Sequence, residues 1–379
     1  MNENHFRKKK IVISAINFYE GGPLSILKEC LQSVEHNNEL DEHEFIALVH
    51  DLKLFCSSDY AKIKFIEFPK SRTSYFYRIF YEYIYFKKLA KNQNISFWLS
   101  LHDMTPNVGG IPQAVYCHNP SPFNTLNFKD IYLQPIQIVF RLFYKYLYRF
   151  NIKRNKFVIV QQLWMKKRFV DMFNLEAKKV LIAPPKIQAI PSHYLSNIVD
   201  NNCKTFFFPT FPRPFKNIEV IGKAAQLLTL KDPNFKIIIT IDGTENKYAR
   251  SIVQKYKSCR NIEFIGLIER EKVYEYYSKV DVLIFPSKLE TWGLPISEFK
   301  QFERPILASN LPYAKEAVGG YKKVNFFDPS NPSQLAELML KVLNGSLVYD
   351  NNLIAQDKDL YVKDWNELFK MLLKSPENV

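Results

Sequence analysis

Glycine is scarce in this chain, with 11 in 379 residues, so a corner built on glycine stands out. The five cysteines (Cys30, Cys56, Cys117, Cys203, Cys259) are widely scattered. They form no C-x-x-C pair and their number is odd, which excludes a disulfide framework and a cysteine-rich zinc site. Free thiols in a reducing cytosol are the expectation. Long apolar runs are missing too. Nothing approaches the ~18 to 20 uninterrupted apolar residues of a spanning helix, so a soluble or peripheral protein is expected. The start, "MNENHFRKKKIVISAINFYEGG", is broken by Asn17 and Glu20 and lacks a small-residue cleavage site. It reads as a first buried strand and not as a signal peptide. Acidic residues are outnumbered, 38 against 52 basic ones, leaving a formal charge of +14. Such an imbalance favours anionic partners: nucleic acid, an anionic membrane surface or phosphorylated substrates.

Hydrophobic residues make up 47% of the chain and charged residues 24%, the balance of a globular protein, and the length fits two domains. Strand-like and helix-like stretches alternate. "KIVISAI", a Gly21-Gly22 turn and the helically spaced "PLSILKECLQSV" come first, followed by the strand candidates "EFIALVH", "KIKFIEF", "SFWLSLH" and "QAVYCH". A polar stretch holding Pro184, Pro185 and Pro191 reads as a linker. Beyond it, "TFFFP", "FKIIITI", "IEFIG", "DVLIF" and "RPILAS" alternate with helical segments. This order predicts an α/β protein with two doubly wound domains, residues 1–192 and 193–350. A helical segment at 351–379, "KDWNELFKMLLK" within it, is free to cross back to the first domain.

One stretch carries chemistry, "FPSKLETWGLPISEF" from Phe285 to Phe299. A strand ends, a turn follows, and Pro295 suits the first position of a helix. The N–H groups near Gly293 and Leu294 then head that helix, where its dipole favours anions, and Gly293 lets a ligand approach the backbone. Glu290 in the loop and Glu298 in the first helical turn can each accept hydrogen bonds from pairs of hydroxyls. A phosphate with two sets of hydroxyls describes a nucleotide-sugar. The competing explanation is an ordinary turn, because a glutamate in a first helical turn is common.

With its surroundings, this stretch resembles the E-x7-E signature of glycosyltransferase family 4, retaining enzymes also known as glycosyl transferases group 1. The likeness extends upstream through "NIEFIGLIEREKVYEYYSKVDVLIFPS" and downstream through "RPILASNLPYAKEAVGGYKKVNFFDPSNPSQL". It is weaker in the N-terminal half, where Gly21-Gly22 and the "HD" and "HNP" loops match, and "YVKDWNELF" is similar to the family's returning helix. The resemblance implies the GT-B fold, two Rossmann-like domains facing a central cleft. It implies that Glu298 binds the ribose hydroxyls and that Glu290 faces the donor sugar. The backbone N–H groups of Trp292, Gly293 and Leu294 would hold sugar and diphosphate. One departure is Thr291, where many members have glycine.

Arg213 and Lys216 in "FPTFPRPFKN" lie between a strand and a helix, and two cations there suit a departing nucleoside diphosphate. Lys216 is the better match to the family. His118, in "AVYCHNPSPF", corresponds to a family histidine beside the donor sugar, and His102 in "SLHDMTP" is its rival. Gly21 and Gly22 would let the first β–α turn approach the diphosphate. A D-x-D pair, used for metal in another transferase fold, occurs once, at Asp357 to Asp359, outside any strand end. No essential metal or other cofactor is expected.

Between Ile131 and Val170 there is no acidic residue but nine basic ones: Arg141, Lys145, Arg149, Lys153, Arg154, Lys156, Lys166, Lys167 and Arg168. Aromatics interleave with them, and eight more lie between Tyr75 and Phe86. Mixed so, residues 75–91 and 141–168 suit an anionic membrane surface. Single-stranded nucleic acid would also accept this pattern. No RNA- or DNA-binding motif supports that, so no nucleic-acid partner is expected. The expectation is a cytoplasmic enzyme, peripheral on the inner face of a bacterial membrane. It would move a sugar from a UDP- or GDP-sugar to a polyprenyl-diphosphate-linked saccharide in O-antigen, capsule or lipopolysaccharide synthesis. A nucleotide-sugar 2-epimerase of the same fold and a non-catalytic binder of membrane or nucleic acid are the alternatives.

Overall fold

The computed structural model describes residues 8–123, 144–195, 203–351 and 361–374. They form two units. Among the described residues, the first comprises 8–122, 144–186 and 361–374, and the second 123, 187–195 and 203–351. The chain passes from one to the other after Lys186, within the proline-containing stretch.

The first unit is built on a seven-stranded, wholly parallel sheet of order β3-β2-β1-β4-β5-β6-β7. Its strands are β1 (Lys9–Ala15), β2 (His43–Val49), β3 (Ile63–Glu67), β4 (Ile95–Ser100), β5 (Gln113–Tyr116), β6 (Phe157–Val160) and β7 (Val180–Ile182). Alternation along β1 feeds two cores, as a parallel sheet covered on both faces requires. Ile11, Ile13 and Ala15 join Leu27 and Leu31 of helix α1 (Gly21–His36) on one face, and Val12 joins Phe86 and Trp98 on the other. Gly21 and Gly22, expected as a separate turn, are the first two residues of α1, with Glu20 as its cap. The C-terminal helix Trp365–Leu373 packs on α1 and adds Leu368, Phe369 and Leu372 to the first of these cores, so it does return to the N-terminal sheet.

Residues 75–93 are helical throughout: an α-helix Tyr75–Phe80, a π-turn Tyr81–Tyr85 and an α-helix Phe86–Gln93. The π-turn buries Glu82 completely, with Oε1 3.1 Å from Nε2 of the equally buried His102. Burial pushes the Glu82 carboxyl up to about 8 and the His102 imidazole well down, so both are uncharged near pH 7. A folded-state pKa above the unfolded value stabilises below about pH 4.5, and that contribution is lost as pH rises through about 8. Glu82→Gln escapes this loss. Its stability relative to wild type should therefore grow by about 3.5 kcal/mol between about pH 5 and about pH 8. Urea melts at the two pH values check it, and an unchanged difference refutes it.

The second unit holds a six-stranded parallel sheet of order β10-β9-β8-β11-β12-β13. It comprises β8 (Lys204–Phe208), β9 (Phe235–Ile239), β10 (Ile262–Phe264), β11 (Val282–Phe285), β12 (Ile306–Ser309) and β13 (Val324–Phe327). This is the strand order of a doubly wound nucleotide-binding sheet, whose order reverses between β8 and β11. Three strands, β6, β7 and β13, have no counterpart among the sequence-predicted ones.

Candidate functional site

In the second unit the corner is a loop between β11 and helix α5 (Leu294–Phe299), for which helices α2 (Ile218–Thr229), α3 (Lys247–Tyr256) and α4 (Arg270–Lys279) precede it in the chain. Gly293 caps α5 with φ +89°, a left-handed conformation that glycine adopts without strain. A Cβ there would still have 3.5 Å to its nearest neighbours, so backbone conformation and not space calls for the glycine. Pro295 takes the second helical position and not the first. Glu298 is consequently the fifth residue of α5, beyond the first turn in which it was expected. The helix dipole therefore does not account for it.

Lys216 and Glu290 are brought together from 74 residues apart: Nζ lies 2.6 Å from Oε1, with side chains 19% and 13% exposed. Asn217 builds this meeting. Its backbone is left-handed, and its side-chain amide donates to the carbonyls of Pro286 (3.1 Å) and Pro329 (2.8 Å). The N–H of Lys288 donates to the Phe215 carbonyl, closing the same loops from the other side. Arg213, half-buried, makes no ion pair among the described residues; its guanidinium lies 5.1 Å from the Phe211 ring centre, and burial lowers its pKa. Trp292 is buried and its indole N–H donates to Ser297 Oγ at 2.9 Å.

Glu298 is 8% exposed. Its Oε1 accepts from Arg270 Nη2 at 2.9 Å and its Oε2 from the Tyr277 hydroxyl at 3.2 Å. Burial raises its pKa, and Arg270 and Tyr277 pull it back. Arg270 was not singled out from the sequence. Standing in "LIEREKVYEYY", it looks like one more charge at the head of a solvated helix, and only folding brings it to a carboxylate 28 residues on.

Gly21 and Gly22 at the start of α1, and His102 and His118 just past the ends of β4 and β5, belong to the first unit. A Cβ on either glycine would meet open space, and Gly21 has φ +64°. His102 is fully buried between Ser14 and Glu82. His118 is half-buried, between Tyr116 and Phe18. Its Nε2 meets the Leu101 carbonyl at 2.5 Å. Burial lowers its pKa against the pull of Asp103, so the ring is neutral near pH 7. A neutral ring bonded to a carbonyl through Nε2 carries its proton there and leaves Nδ1 as an acceptor. Nδ1 has no hydrogen-bond partner among the described residues. Asp103, in the left-handed region at φ +69°, organises this loop. One of its oxygens accepts from the N–H groups of His118 (2.6 Å) and Asn119 (3.2 Å) and from the Tyr148 hydroxyl (2.7 Å). Asp103 and Tyr148 were not read as site residues, because their meeting crosses 45 residues.

Arg141 and the D-x-D pair Asp357–Asp359 lie outside the described residues. Of the basic-aromatic segments, Tyr148 and Phe86 are core. Tyr75, Phe76, Tyr77, Phe80, Tyr146 and Phe150 are exposed. No helix among the described residues is long and apolar enough to cross a membrane.

Comparison with known proteins gives the geometry a context. Residues 197–358, less than half of the chain, match the family described as Glycosyl transferases group 1. The chain is similar to group 1 glycosyl transferases and has the Rossmann-like sheets of their GT-B fold. The O-antigen chain mannosyltransferase RfbU of Salmonella typhimurium is 21% identical over 233 residues, 59% of this chain and 63% of that protein. The chain thus spans less than two thirds of the length of the curated relatives it matches. Among solved structures, WaaG, a glycosyltransferase involved in lipopolysaccharide biosynthesis, superposes with a TM-score of 0.68. It is 15% identical, with 96% of this chain and 100% of that chain covered. Anabaena Alr3699/HepE in complex with UDP-glucose gives 0.61 at 12% identity, covering 96% and 98%. At such identities the likeness establishes the fold.

Proposed function

We propose that this protein is a retaining glycosyltransferase of family 4 that moves a hexosyl group from a UDP- or GDP-sugar to a saccharide acceptor. The observation that carries the reading is the pair of cation-bound carboxylates flanking one helix start, Glu290 on Lys216 and Glu298 on Arg270. Glu298 takes the ribose hydroxyls and Glu290 faces the sugar. Lys216 and Arg213 offset the charge that develops on the departing diphosphate, and His118 stands beside the donor sugar. The N–H groups of Trp292, Gly293 and Leu294, with Gly21 and Gly22, receive sugar and phosphates. Retention then follows a front-face course in which the leaving phosphate takes the acceptor's proton, and no carboxylate nucleophile is used. Essential metal is not part of this chemistry: activity should persist in EDTA.

The names of the relatives favour bacterial surface polysaccharide, O-antigen or lipopolysaccharide, as the setting. Exposed rings on Tyr75–Phe80, with Lys87, Lys88 and Lys91 following, support an anionic membrane surface as a partner and a polyprenyl-diphosphate-linked acceptor. The protein then works at the cytoplasmic face of the membrane. Flotation on anionic but not neutral vesicles tests the surface; equal flotation on both removes it.

Thermal shifts with UDP, GDP, TDP, CMP and a short single-stranded DNA test the site. At about 100 times its dissociation constant, one nucleoside diphosphate should stabilise the protein by about 2.7 kcal/mol, a rise of about 5 °C. Glu298→Ala should lose that rise. A shift with DNA alone, or one that survives in Glu298→Ala, overturns the reading.

A further inference from the structure

Arg270, Tyr274 and Tyr277 stand at positions i, i+4 and i+7 of α4, one face of the helix over two turns. They form a ladder against Glu298. Arg270 Nε donates to the Tyr274 hydroxyl at 2.5 Å, its Nη2 to Glu298 Oε1, and the Tyr277 hydroxyl to Oε2. A carboxylate has about four lone-pair sites, and this ladder uses two, one on each oxygen. Two remain, one per oxygen, which is the requirement for receiving a vicinal diol. Arg270 therefore shapes the acceptor without filling it.

We propose that Arg270 is a positioning residue for nucleotide binding: its fork holds the Glu298 carboxylate in the one orientation that leaves both oxygens open to the ribose diol. This rests on the ribose role of Glu298 proposed above. Arg270 acts through Glu298, and 40% of its side chain stays exposed, so the charge need not be expelled when a nucleotide arrives.

The same contact ties affinity to pH. A carboxylate accepts from two hydroxyls, whereas a protonated carboxyl presents a donor of its own. Burial is the largest influence on Glu298 and raises its pKa; Arg270 is the largest opposing one, followed by the Tyr277 hydroxyl. Tyr274 stands behind Arg270 on the same helix. Helix α6 (Pro312–Val318), also packed on α5, carries Lys315 and Glu316, and neither acts on the Glu298 carboxyl. Without Arg270 the pKa rises further, so binding is lost at a higher pH as the solution is acidified.

Isothermal titrations of UDP and GDP into wild type, Arg270→Met, Arg270→Lys and Glu298→Gln, from about pH 5.5 to about pH 8.5, test this. In Arg270→Met the pH of half-maximal affinity should move up, read as roughly tenfold weaker binding on the acidic side. On the alkaline side its affinity should stay within about threefold of wild type. The nucleotide's own phosphate titrates alike with every variant, so the comparison is unaffected. Arg270→Lys keeps the charge and loses the fork: it should follow the wild-type pH course at about threefold lower affinity throughout. Should Arg270→Met fail to fold, Arg270→Lys still decides, because a wild-type affinity there overturns the orienting role. Wild-type affinity of Arg270→Met at every pH overturns the proposal as well. Glu298→Gln should bind weakly at all pH values. If it binds like wild type, the ribose reading itself fails, a result distinct from failure at Arg270 alone.

Discussion

Lys216→Met should lower the rate of sugar transfer by about two to three orders of magnitude, the cost of removing a preorganised charge from a developing oxyanion. The effect belongs to kcat, because charge on the leaving diphosphate grows in the transition state and the ground-state nucleotide keeps its other contacts. The ion pair complicates a single substitution. Lys216 and Glu290 are 2.6 Å apart and mostly buried, so deleting the lysine leaves a carboxylate uncompensated, at about 3 kcal/mol of stability. Glu290→Gln in the same protein removes that penalty. The double variant should therefore melt close to wild type and remain inactive. Rates and melting temperatures of the four proteins separate the two effects. A Lys216→Met protein that folds and turns over at the wild-type rate would remove Lys216 from the chemistry.

Gly222→Ala should destabilise the protein by about 3 kcal/mol and lower its melting temperature by about 6 to 10 °C. The sign is opposite to the usual one, since alanine in an exposed helix interior is better than glycine by about 1 kcal/mol. Gly222 lies inside α2, and a Cβ there would fall 2.4 Å from Cζ of Tyr256. That ring cannot easily move aside. It is 1% exposed, and its hydroxyl donates to the Glu219 carbonyl at 3.2 Å. The glycine therefore allows α2 and α3 to lie close together. Calorimetry on Gly222→Ala, with Tyr256→Leu as a partner that makes room, checks this. A higher melting temperature for the single variant would show that the ring does not press on the helix.

Much of the fold is legible because it is local. Strand runs such as "DVLIF" and "FKIIITI", and helices such as "KNIEVIGKAAQLL", are written in the spacing of apolar residues over a few turns. The corner at Gly293 is legible for the same reason. A strand end, a positive-φ glycine and a helix start lie within a dozen residues. Periodicity misses what local geometry shifts. The left-handed cap at Gly293 starts α5 at Leu294 and carries Glu298 past the first turn.

By itself, then, the sequence determined two α/β units, an acid-flanked corner and which residue types stand there, since each depends on neighbours along the chain. Tertiary structure alone decided what those residues touch. Glu290 meets Lys216 across 74 positions, Glu298 meets Arg270 across 28, and Asp103 meets Tyr148 across 45. Nothing in the spacing of a carboxylate announces its cation, because ion pairs and buried hydrogen bonds are matched by packing in three dimensions. The same holds for the last helix. Its Phe369 meets Phe45 of β2 at 5.7 Å in a core that only the assembled sheet creates.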